Sequence, residues 1–288
     1  CTDIDEVTEG CVFVALKEQD NDGHGFVRRA VENGAVAAIT EFQIGNMPCI
    51  TVDNTHKALF DIARHYRKKF SPRVVGVTGS IGKTTTKEMV ACVLAQKGET
   101  IKTEGNLNNE IGVPKTLFRL ESSTKNAVIE MGMDGAGQIS VLTRCAKPDC
   151  GIITNVGVSH IENLGSREGI LNAKLELLEG LSKDAPLFLN GDNDLLSTVK
   201  TNDYKVVFFG IENKNCDVLA EEIKEIGLAT EFIAVKGDVR QKITIPTVGI
   251  HNVYDALTAF AVGLEYGVSP EKIADGLLNY VPSGMRQR

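Results

Sequence analysis

Residues 76–85 read G-V-T-G-S-I-G-K-T-T, with glycines standing just ahead of a lysine and two threonines. Glycines at 79 and 82 permit tight backbone turns that aim amide N–H groups at one point. A helix starting at the lysine brings its positive N-terminus to the same point, and the anion such a cradle suits is a phosphate. Lys83 is spaced to reach terminal phosphates and the Thr84 hydroxyl to meet Mg2+, with Gly79, Ser80, Gly82 and Thr85 completing a site for ATP. The strict pattern G-x-x-x-x-G-K-[ST] asks for glycine at position 77, where Val77 stands between Gly76 and Gly79. A glycine-rich turn beside an incidental lysine is the plainer alternative. The apolar run before the loop (73–78, RVVGVT) and the helical pattern after it (83–96) argue against that.

Four further side chains have chemistry to offer. Glu130 closes an apolar, strand-like run (127–131), where a carboxylate serves no packing purpose. With Thr84 it supplies hard oxygen donors of the kind Mg2+ takes. His160 lies in a polar stretch (154–166, TNVGVSHIENLGS) and reads equally as a loop histidine with a hydrogen-bonded ring. Lys174 sits in a helical pattern among glutamates, where an i,i+4 ion pair on a solvated face is the ordinary reading. Asn252 opens a helical run (252–266) and suits either a helix cap or contact with a nucleotide.

The elements that must hold these residues alternate along the chain. Strand-like runs at 11–16, 35–40 and 49–52 and helical ones at 25–32 and 56–70 precede a break at Ser71-Pro72, since proline disfavours helix in the residue before it. A first domain is therefore expected over 1–72. From Arg73 the pattern restarts: strands at 73–78, 127–131, 150–156 and 186–189 interleave with helices at 83–96, 137–145 and 168–181. Such alternation implies an α/β fold with a parallel sheet covered on both faces. Closely spaced strands at 205–209, 217–226, 230–235 and 241–245 suggest an antiparallel extension, and helices at 252–266 and 270–279 complete a second domain over 73–282.

Composition bounds the rest. The chain has 288 residues, 42% hydrophobic and 24% charged, enough for two globular domains. A net charge of −7 disfavours non-specific nucleic-acid binding. Seven scattered cysteines without a C-x-x-C pair argue against a disulfide framework or zinc site and fit a reducing, cytoplasmic setting. No apolar run approaches the roughly 20 residues of a membrane helix. The start at Cys1, almost in mid-pattern, reads as a fragment of a longer chain.

The run T-G-S-I-G-K-T-T-T-K-E (78–88) resembles the Mur ligases of peptidoglycan synthesis. Other segments agree in order: N-L-N-N-E-I-G-V-P (106–114), E-M-G (130–132), T-N-V-G-V-S-H-I-E-N-L-G-S (154–166), A-K-L-E (173–176) and G-I-H-N (249–252). Within the family, these spellings and the opening F-V-A-L…D-G-H-G-F (13–26) are most similar to members that add D-alanyl-D-alanine to UDP-N-acetylmuramoyl-tripeptide. The resemblance implies a small N-terminal α/β domain for the UDP substrate, a central P-loop ATPase domain, ATP and Mg2+ as cofactors, and a monomer. It implies metal roles for Thr84, Glu130, His160 and Lys174, the last as a carbamate; catalytic roles for Lys83, Glu130, His160 and Lys174; and nucleotide contacts for Asn252 and Arg286. Residues 283–288 resemble the hinge into a third domain, whose lack here implies little or no turnover.

Two departures stand out. Asp5, in T-D-I-D, replaces an expected basic residue, which weakens the expected grip on an anionic UDP-sugar, and Glu18 stands where relatives often have glycine, so either the uridine grip differs or this domain has drifted. Asp255 stands where the family often has asparagine. Three other readings compete: a Mur ligase adding a single amino acid, a Mur-like ATP-binding subunit needing a partner, and a simple P-loop kinase, which leaves His160 and Lys174 without a role.

Overall fold

The computed structural model describes residues 1–18 and 21–282. Its contacts divide the chain into two units, Cys1–Lys68 and Lys69–Arg288, the cut falling just ahead of Ser71-Pro72.

The first unit holds β1 (Val12–Val14), α1 (Val27–Glu32), β2 (Ala37–Thr40), β3 (Cys49–Thr51) and α2 (Thr55–Arg67). The strands form a three-stranded sheet in the order β1-β2-β3, parallel throughout. Phe13, Ala15, Val27, Ala30, Ala35 and Ala38 make its core. α2 begins one residue earlier than its pattern suggested, because the Asn54 side chain accepts the Lys57 N–H at 2.7 Å and caps it. The T-D-I-D segment is used locally: the Asp3 carboxylate accepts the Asp5 N–H at 3.0 Å and caps a short 3-10 turn, Ile4–Glu6. In D-G-H, Asp22 binds the ring Nδ1 of buried His24 at 2.6 Å, and His24 Nε2 accepts the Glu41 N–H at 2.9 Å.

The second unit runs β4 (Arg73–Thr78), α3 (Lys83–Ala95), β5 (Thr100–Lys102), α4 (Gly112–Leu117), β6 (Asn126–Glu130), α5 (Gln138–Ala146), β7 (Cys150–Ile153), α6 (Ile161–Leu164), α7 (Arg167–Leu175) and β8 (Pro186–Asn190). It continues with β9 (Lys205–Gly210), β10 (Val218–Ile226), β11 (Ala229–Lys236), β12 (Val239–Ile245), α8 (Ile250–Glu265) and α9 (Pro270–Leu278). One nine-stranded sheet has the order β12-β11-β10-β9-β8-β7-β4-β6-β5. β4 and β6 are buried along nearly their whole length, as strands covered on both faces must be. From β4 the chain passes to β5 and β6 on one side, then to β7 and its successors on the other, so the C-terminal ends of β4 and β7 flank a topological switch point. Ligands of open α/β sheets bind in that crevice.

The antiparallel extension is shorter than the strand spacing suggested. β9 pairs with β8 and β10 in parallel, and only β10-β11 and β11-β12 run antiparallel. The stretch linking β9 to β10 turns back rather than making a hairpin, because Asp192 of the neighbouring strand end accepts the N–H groups of Ile211, Glu212 and Asn213. Residues 106–114 end in helix α4, whose first N–H is held by the Asn109 side chain at 2.9 Å. β5 was not anticipated, being only three residues long.

α8 presents Val253, Ala256, Leu257, Phe260 and Ala261 to the core, with α3 and α9 packed beside it. A Cβ on Gly263 would fall 2.6 Å from Val93 Cγ1 and 2.8 Å from Ile273 Cδ1, so glycine here leaves the room those two side chains fill. Phe260, fully buried among them, anchors the cluster. Phe260→Ala is expected to lower the unfolding free energy of this unit by roughly 3–5 kcal/mol, read from the urea midpoint at unchanged slope.

Candidate active site

The residues at the β4–α3 turn form the tight glycine turn, followed by a helix from Lys83, that their spacing suggests. Gly79 has φ +154° and Gly82 φ +81°, conformations that side chains rarely adopt; a Cβ on Gly79 would lie 1.9 Å from Thr154 Oγ1. The turn is fastened from the far side of the switch point by the segment leaving β7. Asn155 Oδ1 accepts the N–H groups of Ser80 at 3.1 Å and Ile81 at 3.0 Å. Thr154 Oγ1 donates to Ile81 O at 2.6 Å, and Ser80 Oγ accepts the Gly157 N–H at 2.9 Å. Lys83 leans back over the turn, donating to Gly79 O at 2.9 Å.

Behind the turn, Thr84 and Glu130 meet. The Thr84 hydroxyl donates to Glu130 Oε2 at 2.8 Å, both residues being buried. Asn108 Nδ2 donates to Glu130 Oε1 at 2.7 Å, and the wholly buried Lys87 ammonium lies 3.6 Å from Oε2. A carboxylate in the interior is tolerable because these three neighbours compensate it. Lys87 in turn donates to Thr103 O at 2.7 Å, and the Thr103 hydroxyl accepts the Glu130 N–H at 3.0 Å. Hard oxygen atoms of a hydroxyl and a carboxylate, side by side at the head of α3, fit a Mg2+ ion.

Lys174 is 2% exposed in α7 and forms no ion pair among the described residues, so the solvated i,i+4 pairing does not hold. Burial, with the Lys83 ammonium nearby, pulls its pKa down to about 7. A substantial neutral fraction at neutral pH follows. Glu176, its neighbour in A-K-L-E, accepts the N–H groups of Gly137 at 2.6 Å and Ser140 at 3.1 Å and so caps α5.

His160 is less tightly bound in. It adopts φ +63°, its side chain is 40% exposed, and its Nδ1 lies 3.5 Å from Asp134 Oδ1. Among the described residues no hydrogen bond or ion pair joins it to Thr84 or Glu130, and no three His, Cys, Asp or Glu side chains cluster as a metal set. Arg167 clasps Asp194 through two hydrogen bonds, at 2.5 and 2.6 Å, while donating to Val156 O, which steadies the same stretch.

A cavity of about 660 Å³ opens beside the turn. Ile81, Gly82, Thr85 and Asn155 line one part; Glu225, Asn252, Tyr254 and Asp255 line another. Asn252 does not cap α8: the helix starts at Ile250, with Gly249 as its cap, and Asn252 donates to Val248 O at 2.6 Å and Thr247 Oγ1 at 3.2 Å. Glu225 Oε1 accepts the Gly249 N–H at 3.0 Å, just beyond an irregularity in β10 at Glu222 (φ +52°). The Tyr254 hydroxyl donates to Asp192 Oδ2 at 2.7 Å. Arg286 lies outside the described residues.

Residues 77–263 match the Mur ligase middle domain. The chain belongs to the Mur ligase family. It is 40% identical, over 99% of its length, to the UDP-N-acetylmuramoyl-tripeptide–D-alanyl-D-alanine ligase of Bacillus subtilis. It spans 62% of that relative's length. Among solved structures it superposes on MurF from Acinetobacter baumannii with a TM-score of 0.94 at 31% identity, covering 100% of this chain and 64% of that one. The MurF ligase from Thermotoga maritima in complex with ADP gives 0.90 at 29% identity, covering 98% and 66%. This Mur ligase chain uses several site residues that the motif reading passed over. Asn155, Thr154 and Asn108 lie inside quoted motifs, but only their contacts reveal what they hold.

Asp255 has a measurable consequence for stability. Burial pushes its carboxyl up to about 7, offset in part by the Thr86 hydroxyl. The folded chain therefore keeps this proton where the unfolded chain, titrating at about 4, has lost it. Stability from this group is full below about pH 4 and declines as pH rises to about 7. Asp255→Asn is expected to flatten that decline in urea titrations between pH 5 and 8; an unchanged slope would show that Asp255 is ionised throughout.

Proposed function

We propose that this chain is the substrate- and ATP-handling part of a cytoplasmic, monomeric ligase that adds D-alanyl-D-alanine to UDP-N-acetylmuramoyl-tripeptide during peptidoglycan synthesis. The observation that carries this reading is the meeting of Thr84 and Glu130 behind the glycine turn, in a chain matching D-alanyl-D-alanine-adding ligases along nearly its whole length. The ADP complex of a relative supports nucleotide use.

In this reading residues 1–72 hold the UDP moiety and residues 73–282 hold ATP, with Arg286 reaching the nucleotide. The backbone N–H groups of residues 79–84 and the N-terminus of α3 receive the phosphates. Lys83 swings from Gly79 O to the terminal phosphate and neutralises charge as the tripeptide carboxylate takes that phosphoryl group, giving an acyl phosphate and ADP. The amine of D-alanyl-D-alanine then attacks the acyl carbon and phosphate leaves. Thr84 and Glu130 would hold Mg2+, with His160 and carbamylated Lys174 at a second position, and the metal supplies further charge neutralisation. Asn252 shapes the nucleotide wall of the cavity through Val248 and Thr247.

Carbamylation of Lys174 requires a neutral amine: nitrogen attacks CO2, a C–N bond forms and a proton leaves. The burial that lowers this lysine's pKa supplies that amine. With 13C-labelled bicarbonate at pH 8, a carbamate resonance is expected that Lys174→Ala removes; an identical spectrum in the variant would overturn the assignment.

Calorimetry with a non-hydrolysable ATP analogue tests the nucleotide site. The chain should bind, and Lys83→Ala should weaken binding by more than about tenfold, in keeping with a lost charge-assisted contact to phosphate. Absence of heat from the chain would end the proposal. Formation of a single-amino-acid adduct instead of the D-alanyl-D-alanine product, by the whole protein, would move it to another Mur ligase.

A further inference from the structure

The first unit carries two thiols that the scheme above does not use. Cys1 and Cys11 are half-buried, and their sulphur atoms lie 3.2 Å apart without being joined as a disulfide. Their backbones are held by hydrogen bonds that owe nothing to the sulphurs. Cys1 lies along β1, its nitrogen donating to Val12 O at 2.9 Å and its carbonyl accepting the Val14 N–H at 2.9 Å. Cys11 stands just ahead of β1, its N–H donating to Thr8 O at 3.2 Å and its carbonyl accepting the Val36 N–H at 2.9 Å. Sulphurs already in contact need only close to about 2.0 Å to be bonded, and the backbone around them is set to keep them together.

Thiols elsewhere in the chain are placed differently. Burial pushes the Cys150 thiol up to about 12 and the Cys216 thiol up to about 11, which keeps the reactive thiolate scarce, and burial raises Cys92 as well. Cys145 is buried. The segment between the pair, residues 2–10, exposes Asp3, Asp5, Glu6 and Glu9 and contains no lysine, arginine or histidine. Such a surface repels an anionic oxidant and admits a small neutral one.

We propose that Cys1 and Cys11 form a reversible disulfide when the chain meets hydrogen peroxide, closing residues 2–10 into a covalent loop. The sulphur of one thiolate attacks a peroxide oxygen, the O–O bond breaks, and hydroxide leaves and takes up a proton as water; that cysteine is now a sulfenic acid. The second thiol gives up its proton as its sulphur attacks the sulfenic sulphur. The S–S bond forms, the S–O bond breaks, and the hydroxyl leaves with that proton as a second water. Two thiols lose two electrons and one peroxide gains them. A dithiol reductant reverses the step by exchange, as suits a reducing compartment, where disulfides are transient and redox-sensing rather than a framework. The bridge fastens the T-D-I-D turn to the start of β1 and stands independently of the ATP reading above.

The test is peptide mapping of the folded 288-residue chain. Trypsin releases residues 1–17 as one peptide, because Lys17 is the first basic residue. The chain is treated with a slight molar excess of hydrogen peroxide, then unfolded and alkylated with iodoacetamide. The peptide is expected to lose both alkylation sites and to weigh two hydrogens less, and dithiothreitol is expected to restore both sites. With dimedone present to trap sulfenic acids, the wild type should still give the bridge, since the second sulphur is already in contact. Of the variants Cys1→Ser and Cys11→Ser, at least one should instead carry the dimedone adduct on its remaining thiol. Two alkylated cysteines in the peroxide-treated peptide, a bridge to a third cysteine, or a sulfinic acid in place of the bridge overturns the inference. Should a variant not fold, the mapping of the wild type decides alone.

Discussion

The clasp between the side chains following β7 and the backbone of the glycine turn is the contact on which the site depends. A turn with two glycines in conformations closed to other residues has no internal reason to keep one shape. Asn155 supplies that reason by engaging two successive N–H groups, and Thr154 by holding the carbonyl that follows. The cost of ordering glycine is met by a neighbouring strand end rather than by the turn itself. That strand is adjacent to β4 only because the sheet reverses its order there, so topology and phosphate geometry are one constraint.

Glu130 illustrates the same economy. It stands at the end of an inner strand where an unpaired carboxylate would be untenable, and Thr84, Asn108 and Lys87 make it tenable. Thr84 and Lys87 both come from α3 and Asn108 from the segment ahead of α4, so the carboxylate is held between two parts of the chain. Lys174 shows the opposite treatment: among the described residues no ion pair compensates its charge, and burial lowers its pKa to about 7 instead.

Periodicity located nearly all the long elements, and β4 with both its limits, because apolar alternation and helical spacing are strong over such lengths. It could not see β5 or the role of α4, which are too short to carry a period. It assigned β9 to the antiparallel extension because strand direction depends on how Asp192 gathers the chain after β9, a contact no local pattern encodes. The glycine turn, Glu130 and Lys174 were visible as residue types; the burial that decides between an ion pair and a neutral amine was not. The pattern left Asn252 open between a cap and a nucleotide contact because it stands near a helix start, whereas Glu225 from a distant strand secures that start at Gly249.

The separation of these partners along the chain has a consequence for biogenesis. The turn at residues 79–82 meets its clasp 75 residues later, and Thr86 meets Asp255 after 169 residues. A chain emerging from the ribosome therefore exposes its glycine turn well before anything can shape it. The turn acquires its partners only after Thr154 and Asn155 have been made and packed against it, which makes the shaping of this pocket a late, long-range event.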